Sequence, residues 1–160
     1  MPEQRVGIGV DAHAFEEDVR LVLGGVALEH PRGLAGHSDG DVLAHALTDA
    51  LLGAAGLADI GALFPPGDPQ WKGADSLDLL RRAYADVREV GYALVNADVV
   101  LIGEEPRVAP RRLEMRERLA QALDVEPERL AVRATSTDGL GFTGRREGLA
   151  AQAVALLRRA

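Results

Sequence analysis

The chain has 160 residues, of which 47% are hydrophobic and only 4% aromatic, with no cysteine and a formal net charge of −7. That length suits one domain over residues 1–160 built on an aliphatic core, and the absence of thiols excludes disulfides and thiolate metal centres. The acidic balance disfavours nucleic acid as a partner, no run approaches the roughly 20 apolar residues of a membrane span, and Met1–Arg5 lacks signal-peptide features, so the expected compartment is the cytoplasm.

Val6, Ile8 and Val10 alternate with Gly7, Gly9 and Asp11, a period of two that predicts a strand with its branched residues in the core. Leu21–Leu23 and Val26–Leu28 flank Gly24-Gly25 and predict a hairpin-like pair. Ser38-Asp39-Gly40-Asp41 has the form of a capping box with Ser38 as N-cap. The helix after it carries Leu43, Leu47, Ala50, Leu51 and Ala54 toward the core and stops near Gly56. A Gly/Pro-rich loop follows from Asp59 to Asp68, long for a connector. Ser76 to Val90 predicts a second helix closed by Gly91. Leu94–Ile102 predicts a strand, Pro110–Leu123 a third helix, Leu130–Thr135 the last strand and Leu149–Arg158 a final amphipathic helix. This order predicts an α+β fold: one mixed β-sheet with helices on one face.

Three clusters carry candidate chemistry. Asp11 and His13 lie two apart on the first strand and leave the same face, opposite Val6, Ile8 and Val10. On the first helix Asp41, His45 and Asp49 recur every four residues, facing away from Leu43, Leu47 and Leu51. Taken singly, these fit a surface hydrogen-bonded pair and a solvated helix face. Together, Asp11, His13 and His45 form an N₂O set with one vacant position, the arrangement of a catalytic zinc site. Ahead of that helix, His37 and Ser38 stand beside N–H groups that can receive a phosphate, although an ordinary cap explains Ser38 equally. In the third cluster Ala134, Thr135, Ser136, Thr137 and Asp138 lead into a glycine-rich bend through Phe142 to Arg145. Its hydroxyls can hold phosphoryl oxygens and Asp138 a hard cation such as Mg²⁺; a polar turn is the alternative.

Jointly the clusters resemble one family, the 2-C-methyl-D-erythritol 2,4-cyclodiphosphate synthases of the non-mevalonate isoprenoid route. Gly9–His13, Gly36–Asp41 continuing to His45, Asp59–Gly61 with Phe64-Pro65, Lys72–Ser76 and Leu140–Arg145 carry the resemblance over nearly the whole chain. It implies zinc on Asp11, His13 and His45, and a second cation, Mg²⁺ or Mn²⁺, on Asp138, where the family usually has glutamate. It implies that His37 and Ser38 meet the substrate's phosphate end, that Asp59, Ile60 and Gly61, with Phe64 and Asp68, line the erythritol pocket, and that Gly103, Arg107, Ala109, Ala134, Thr135 and Ser136 seat the cytidine. His37 and Ser136 would support the transition state, with no general base. The implied fold is chorismate-mutase-like and the implied assembly a homotrimer with active sites between subunits. Phe142 and Arg145 would face a central cavity accepting an isoprenoid diphosphate, or Arg145 would pair with Glu147 to stitch the trimer. The implied reaction releases CMP from 4-diphosphocytidyl-2-C-methyl-D-erythritol 2-phosphate. The three metal ligands alone would also suit a metal-dependent phosphohydrolase or a non-catalytic metal-binding trimer.

Overall fold

A computed structural model describes residues 3–160. The elements run β1 (Gln4–Glu17), β2 (Leu21–Leu23), β3 (Val26–Leu28), β4 (Arg32–Leu34), α1 (Val42–Ala54), α2 (Ile60–Leu63), α3 (Ser76–Glu89), β5 (Tyr92–Ile102), α4 (Arg112–Leu123), β6 (Leu130–Thr135), α5 (Gly141–Gly144) and β7 (Gly148–Arg159). Five strands form a mixed sheet in the order β4-β1-β7-β5-β6, parallel only between β5 and β6. Besides that sheet stands a separate β2–β3 ribbon, so the expected single sheet is a sheet plus a hairpin. Helix α1 lies on β1 and β7, α3 packs between α1 and α4, and α4 covers β6.

The core is aliphatic, as the composition requires. Leu43, Leu47 and Leu51 on α1 are fully buried, each such leucine stabilising the fold by about 2 kcal/mol relative to exposure. Against them β7 presents Ala151, Ala153 and Ala155, none with exposed surface. Small residues on both sides let helix and sheet approach closely.

That approach overturns one expectation for β1. Val6, Ile8 and Val10 are 69%, 59% and 64% exposed, while the buried face of the strand carries Gly7 and Gly9. A Cβ on Gly7 would lie 2.1 Å from the Ala50 carbonyl oxygen, and one on Gly9 1.9 Å from that of Ala46. The helix backbone thus occupies the space side chains would fill. The alternation was real, but the core took the glycine face.

Two further expectations are corrected. Residues 149–158 form the central strand β7 rather than a helix, paired with β1 and β5 over most of its length. Their alanine-rich helical propensity yields to pairing on both edges, and the alternating burial of Ala151, Ala153, Ala155 and Leu157 was the period that mattered. The N-cap of α1 is Asp41, not Ser38. Its Oδ1 accepts from Ala44 N at 3.1 Å and from Gly24 N at 2.9 Å, and Oδ2 accepts from Gly25 N at 2.7 Å. The helix start is therefore filled by this chain's own buried carboxylate, which removes it as a phosphate site. The stripe of Asp41, His45 and Asp49 is correspondingly no solvated face: Asp41 has no exposure and His45 only 8%.

Replacing Gly9 by valine is expected to force α1 off β1 at a cost of about 3 kcal/mol or more, read as a lower urea midpoint. Asp41→Ala, leaving three backbone N–H groups without a partner, is expected to cost about 3 kcal/mol. Burial, with the neighbouring Asp39 charge, pushes the Asp41 carboxyl up to about 6. The stability linked to that upward shift is fully present below pH 3.8 and lost as pH rises through about 6, while the three accepted hydrogen bonds persist. Urea titrations across that window should show this slope in the parent and not in Asp41→Asn.

Candidate metal centre and substrate cavity

Beyond Gly9, the face of β1 that lies on α1 continues with Asp11 and His13, and α1 presents His45 one residue before the contact at Ala46. Asp11 Oδ2 lies 2.8 Å from His13 Nε2 and 3.1 Å from His45 Nδ1. One ligand atom from each residue lies within 4.8 Å of the others. The His13 Nδ1–H donates to the Ala35 carbonyl at 2.5 Å. Because a carbonyl can only accept, neutral His13 holds its lone pair on Nε2, aimed at the Asp11 carboxylate. A lone pair and a carboxylate face each other stably only with a cation between them, a proton or a metal ion, so the donor set fits a divalent metal.

The same geometry shapes the charges. Burial alone would raise the Asp11 carboxyl, but the adjoining His13 and His45 rings, which donate to it once they are protonated, outweigh burial and hold it down at about 2. In turn the hydrogen bond to Asp11 lifts His13 above 6.5, against the opposing effect of burial.

The three ligands open onto a cavity of about 300 Å³ whose other walls are His37, Ser38, Ile60, Gly61, Phe64, Pro66, Trp71 and Leu79. His37 Nε2–H donates to the Asp68 carbonyl at 2.8 Å, fixing its ring. Phe64 and Trp71 meet edge to face at 4.9 Å between centroids. Asp59 caps α2 through Ala62 N, and Asp49 accepts from Ile60 N, so Asp49 anchors the α2 loop to α1. Burial raises the Asp49 carboxyl. A larger cavity, about 520 Å³, lies on the far side of Ser38 and Asp39 between Arg20 and Arg118. The imidazoles converge only in the smaller one.

Of the expected site residues, His37, Ser38, Ile60, Gly61 and Phe64 thus join the metal ligands, while Asp59 and Asp68 stand just behind them as loop anchors. The remainder gather elsewhere. Gly103 N donates to the Thr135 carbonyl at 3.0 Å, joining the Gly103–Ala109 loop to Ala134–Ser136 at the end of the parallel β5–β6 pair. Ser136 Oγ lies 3.2 Å from Asp138 Oδ1, with both residues exposed. Arg107 and Ala109 are exposed on that loop. Phe142, 43% exposed, sits on α5, and Arg145 beyond it pairs with Glu147 at 2.9 Å. None of these lines the cavity of the same chain. Sequence reasoning assigned no role to Trp71, Pro66, Leu79, Asp39 or Ser76. The last two lie behind His45: Ser76 Oγ is 2.7 Å from His45 Nε2 and donates to Asp39 Oδ1. Ser76 stood inside the Lys72–Ser76 motif and at the predicted start of the second helix, neither of which pointed to His45.

A sequence model of the YgbB family matches residues 4–158. The 2-C-methyl-D-erythritol 2,4-cyclodiphosphate synthase of Moorella thermoacetica is 59% identical over 153 residues, 96% of this chain and 94% of that protein. Among solved structures, the bifunctional IspDF of Campylobacter jejuni superposes with a TM-score of 0.96 at 44% identity, covering 100% of this chain and 43% of that longer one. IspF of Plasmodium falciparum, solved as a CDP complex, gives 0.86 at 28% identity and covers 99% of this chain and 98% of its own. With the family model matching residues 4–158 and more than half of its residues shared with the Moorella protein, the chain belongs to the YgbB family, whose matched relatives include 2-C-methyl-D-erythritol 2,4-cyclodiphosphate synthases.

Proposed function

We infer that this chain converts 4-diphosphocytidyl-2-C-methyl-D-erythritol 2-phosphate to 2-C-methyl-D-erythritol 2,4-cyclodiphosphate and CMP, at a zinc centre on Asp11, His13 and His45. The observation that carries the chemistry is the lone pair of His13 facing the Asp11 carboxylate at 2.8 Å, an arrangement completed by a cation. The 2-phosphate oxygen attacks the β-phosphorus, the bond from that phosphorus to the bridging oxygen breaks, and CMP leaves with the electron pair. Asp11, His13 and His45 would hold zinc and Asp138 a second cation, Mg²⁺ or Mn²⁺; when bound, these would supply the positive charge that two anionic phosphates need in order to meet.

The protein's own residues bind and orient. His37 and Ser38 hold the phosphate end, and Ile60 and Gly61, with Asp59 and Asp68 behind them, frame the erythritol. The apolar wall of Phe64, Pro66, Trp71 and Leu79 faces the methyl-bearing carbon skeleton and excludes water, which would otherwise hydrolyse the β-phosphorus. Gly103, Arg107, Ala109, Ala134, Thr135 and Ser136 seat the cytidine, Ser136 and His37 steady the transferring phosphoryl group, and no side chain is needed as a base.

The chain forms one domain over 1–160 and works as a homotrimer of chorismate-mutase-like subunits. Two observations support that assembly. Val6, Ile8, Val10 and Val154 leave an uncovered apolar stripe on the sheet face opposite α1, and the cytidine and Asp138 segments lie outside the cavity of their own chain, as a site shared between neighbours requires. Phe142 and Arg145 would then face the threefold axis, where an isoprenoid diphosphate can bind. No helix among the described residues is long and apolar enough to cross a membrane, which agrees with a cytoplasmic enzyme.

Incubation of substrate with Zn²⁺ and Mg²⁺, followed by ³¹P NMR, is expected to give the cyclic diphosphate and CMP. An open-chain phosphate would indicate a phosphohydrolase, and binding without turnover a carrier. His45→Ala is expected to lose bound zinc and reduce turnover at least 100-fold while keeping its helical circular dichroism. Because the Asp11 hydrogen bond raises His13, protons should compete with zinc for its Nε2 more strongly than at an ordinary histidine, so measured occupancy should fall as the pH is lowered. Mixing inactive His45→Ala and Asp138→Ala chains after partial unfolding should restore activity through hybrid trimers. Failure to complement would place the whole site in one chain.

A further inference from the structure

We propose that Ser76 and Asp39 are positioning residues that set the tautomer of His45. The inference rests on the metal-centre reading but is argued from hydrogen-bond direction alone. Ser76 is the first residue of α3 and has no exposed surface. Its N–H donates to Asp39 Oδ2 at 3.0 Å and its hydroxyl donates to Asp39 Oδ1. Asp39 Oδ1 also accepts from Asp41 N at 3.1 Å, and the Asp39 N–H donates to the Ala74 carbonyl at 3.1 Å. The loop before α1 and the loop before α3 are thereby tied together.

A carboxylate has no proton to give, so the Ser76 hydroxyl points its own proton at Asp39. What Ser76 Oγ can offer His45 Nε2, 2.7 Å away, is a lone pair. His45 therefore carries its proton on Nε2 and directs the Nδ1 lone pair toward Asp11 and the metal position. Ser38 Oγ, at 3.1 Å from the same Nε2, is the longer partner and keeps its hydroxyl for substrate. Without Ser76 the ring is free to protonate Nδ1 and donate to Asp11, the tautomer that cannot ligate.

The test uses full-length protein with ¹⁵N-labelled histidine, metal-free, at about pH 9, where imidazoles are neutral. The parent and Ser38→Ala should show His45 protonated on Nε2. Ser76→Ala and Asp39→Asn should move His45 toward the Nδ1–H form; the Asn amide can donate to Ser76 and turn its proton toward His45. By chelator competition both should bind Zn²⁺ about 10- to 100-fold more weakly, with thermal midpoints reported alongside to separate folding from orientation. An Nδ1–H parent, or an unchanged tautomer and affinity in both variants, overturns the proposal. A parent that takes up no zinc yet shows the tautomer shift would refute the metal centre and uphold the orienting pair.

Discussion

Everything in the site depends on how closely α1 lies against β1. Gly7 and Gly9 leave no side chain between strand and helix, and a Cβ at Gly9 would all but overlap the carbonyl oxygen of Ala46. This contact is made by backbone, so it tolerates no side-chain adjustment and sets the separation of the two elements rigidly. His45 precedes Ala46, and Asp11 follows Gly9 on the same strand face. The distance of 3.1 Å between Asp11 Oδ2 and His45 Nδ1 is thus a consequence of glycine packing as much as of the ligands themselves.

Electrostatics then works within that fixed frame. Two imidazoles crowd one partly buried carboxylate oxygen, and once protonated they overcome the burial that would otherwise neutralise it. The backbone carbonyl of Ala35 orients one ring and the Ser76–Asp39 pair the other. The ligands and their orienting partners come from β1, α1, the loop before α1 and the start of α3. A disturbance in that loop or at the start of α3 reaches the metal centre through hydrogen bonds rather than through contact with substrate.

Chemistry on two highly charged phosphates needs positive charge and exclusion of water more than it needs a nucleophile on the protein. The cavity suits both: a corner at Asp11, His13 and His45 whose donor set fits a cation, and an aromatic wall at Phe64 and Trp71. The hydroxyl and carboxylate cluster at Thr135–Asp138 stands apart at the end of β6, facing outward. The uncovered stripe of Val6, Ile8, Val10 and Val154 on the reverse of the sheet suits the role proposed for it, bringing one chain's cluster to another chain's metal centre.

Much of the fold was legible in the residues alone. Local periodicity and punctuation marked β2, β3 and β6 to the residue and α3 and β5 to within about two residues, since period, caps and glycine stops act over a few positions. The trio of Asp11, His13 and His45 was legible too, because parity on a strand and donor chemistry are local properties. What tertiary structure decided was everything that depends on partners distant in sequence. Which face of β1 is buried followed from the nearness of α1, not from the hydrophobicity of Val6, Ile8 and Val10. Pairing on both edges made a strand of the alanine-rich segment 148–159, and two distant glycine N–H groups helped make Asp41 rather than Ser38 the cap. The orienting role of Ser76 toward His45 spans 31 positions. A sequence states the donors and acceptors each residue carries; only packing decides which of them meet.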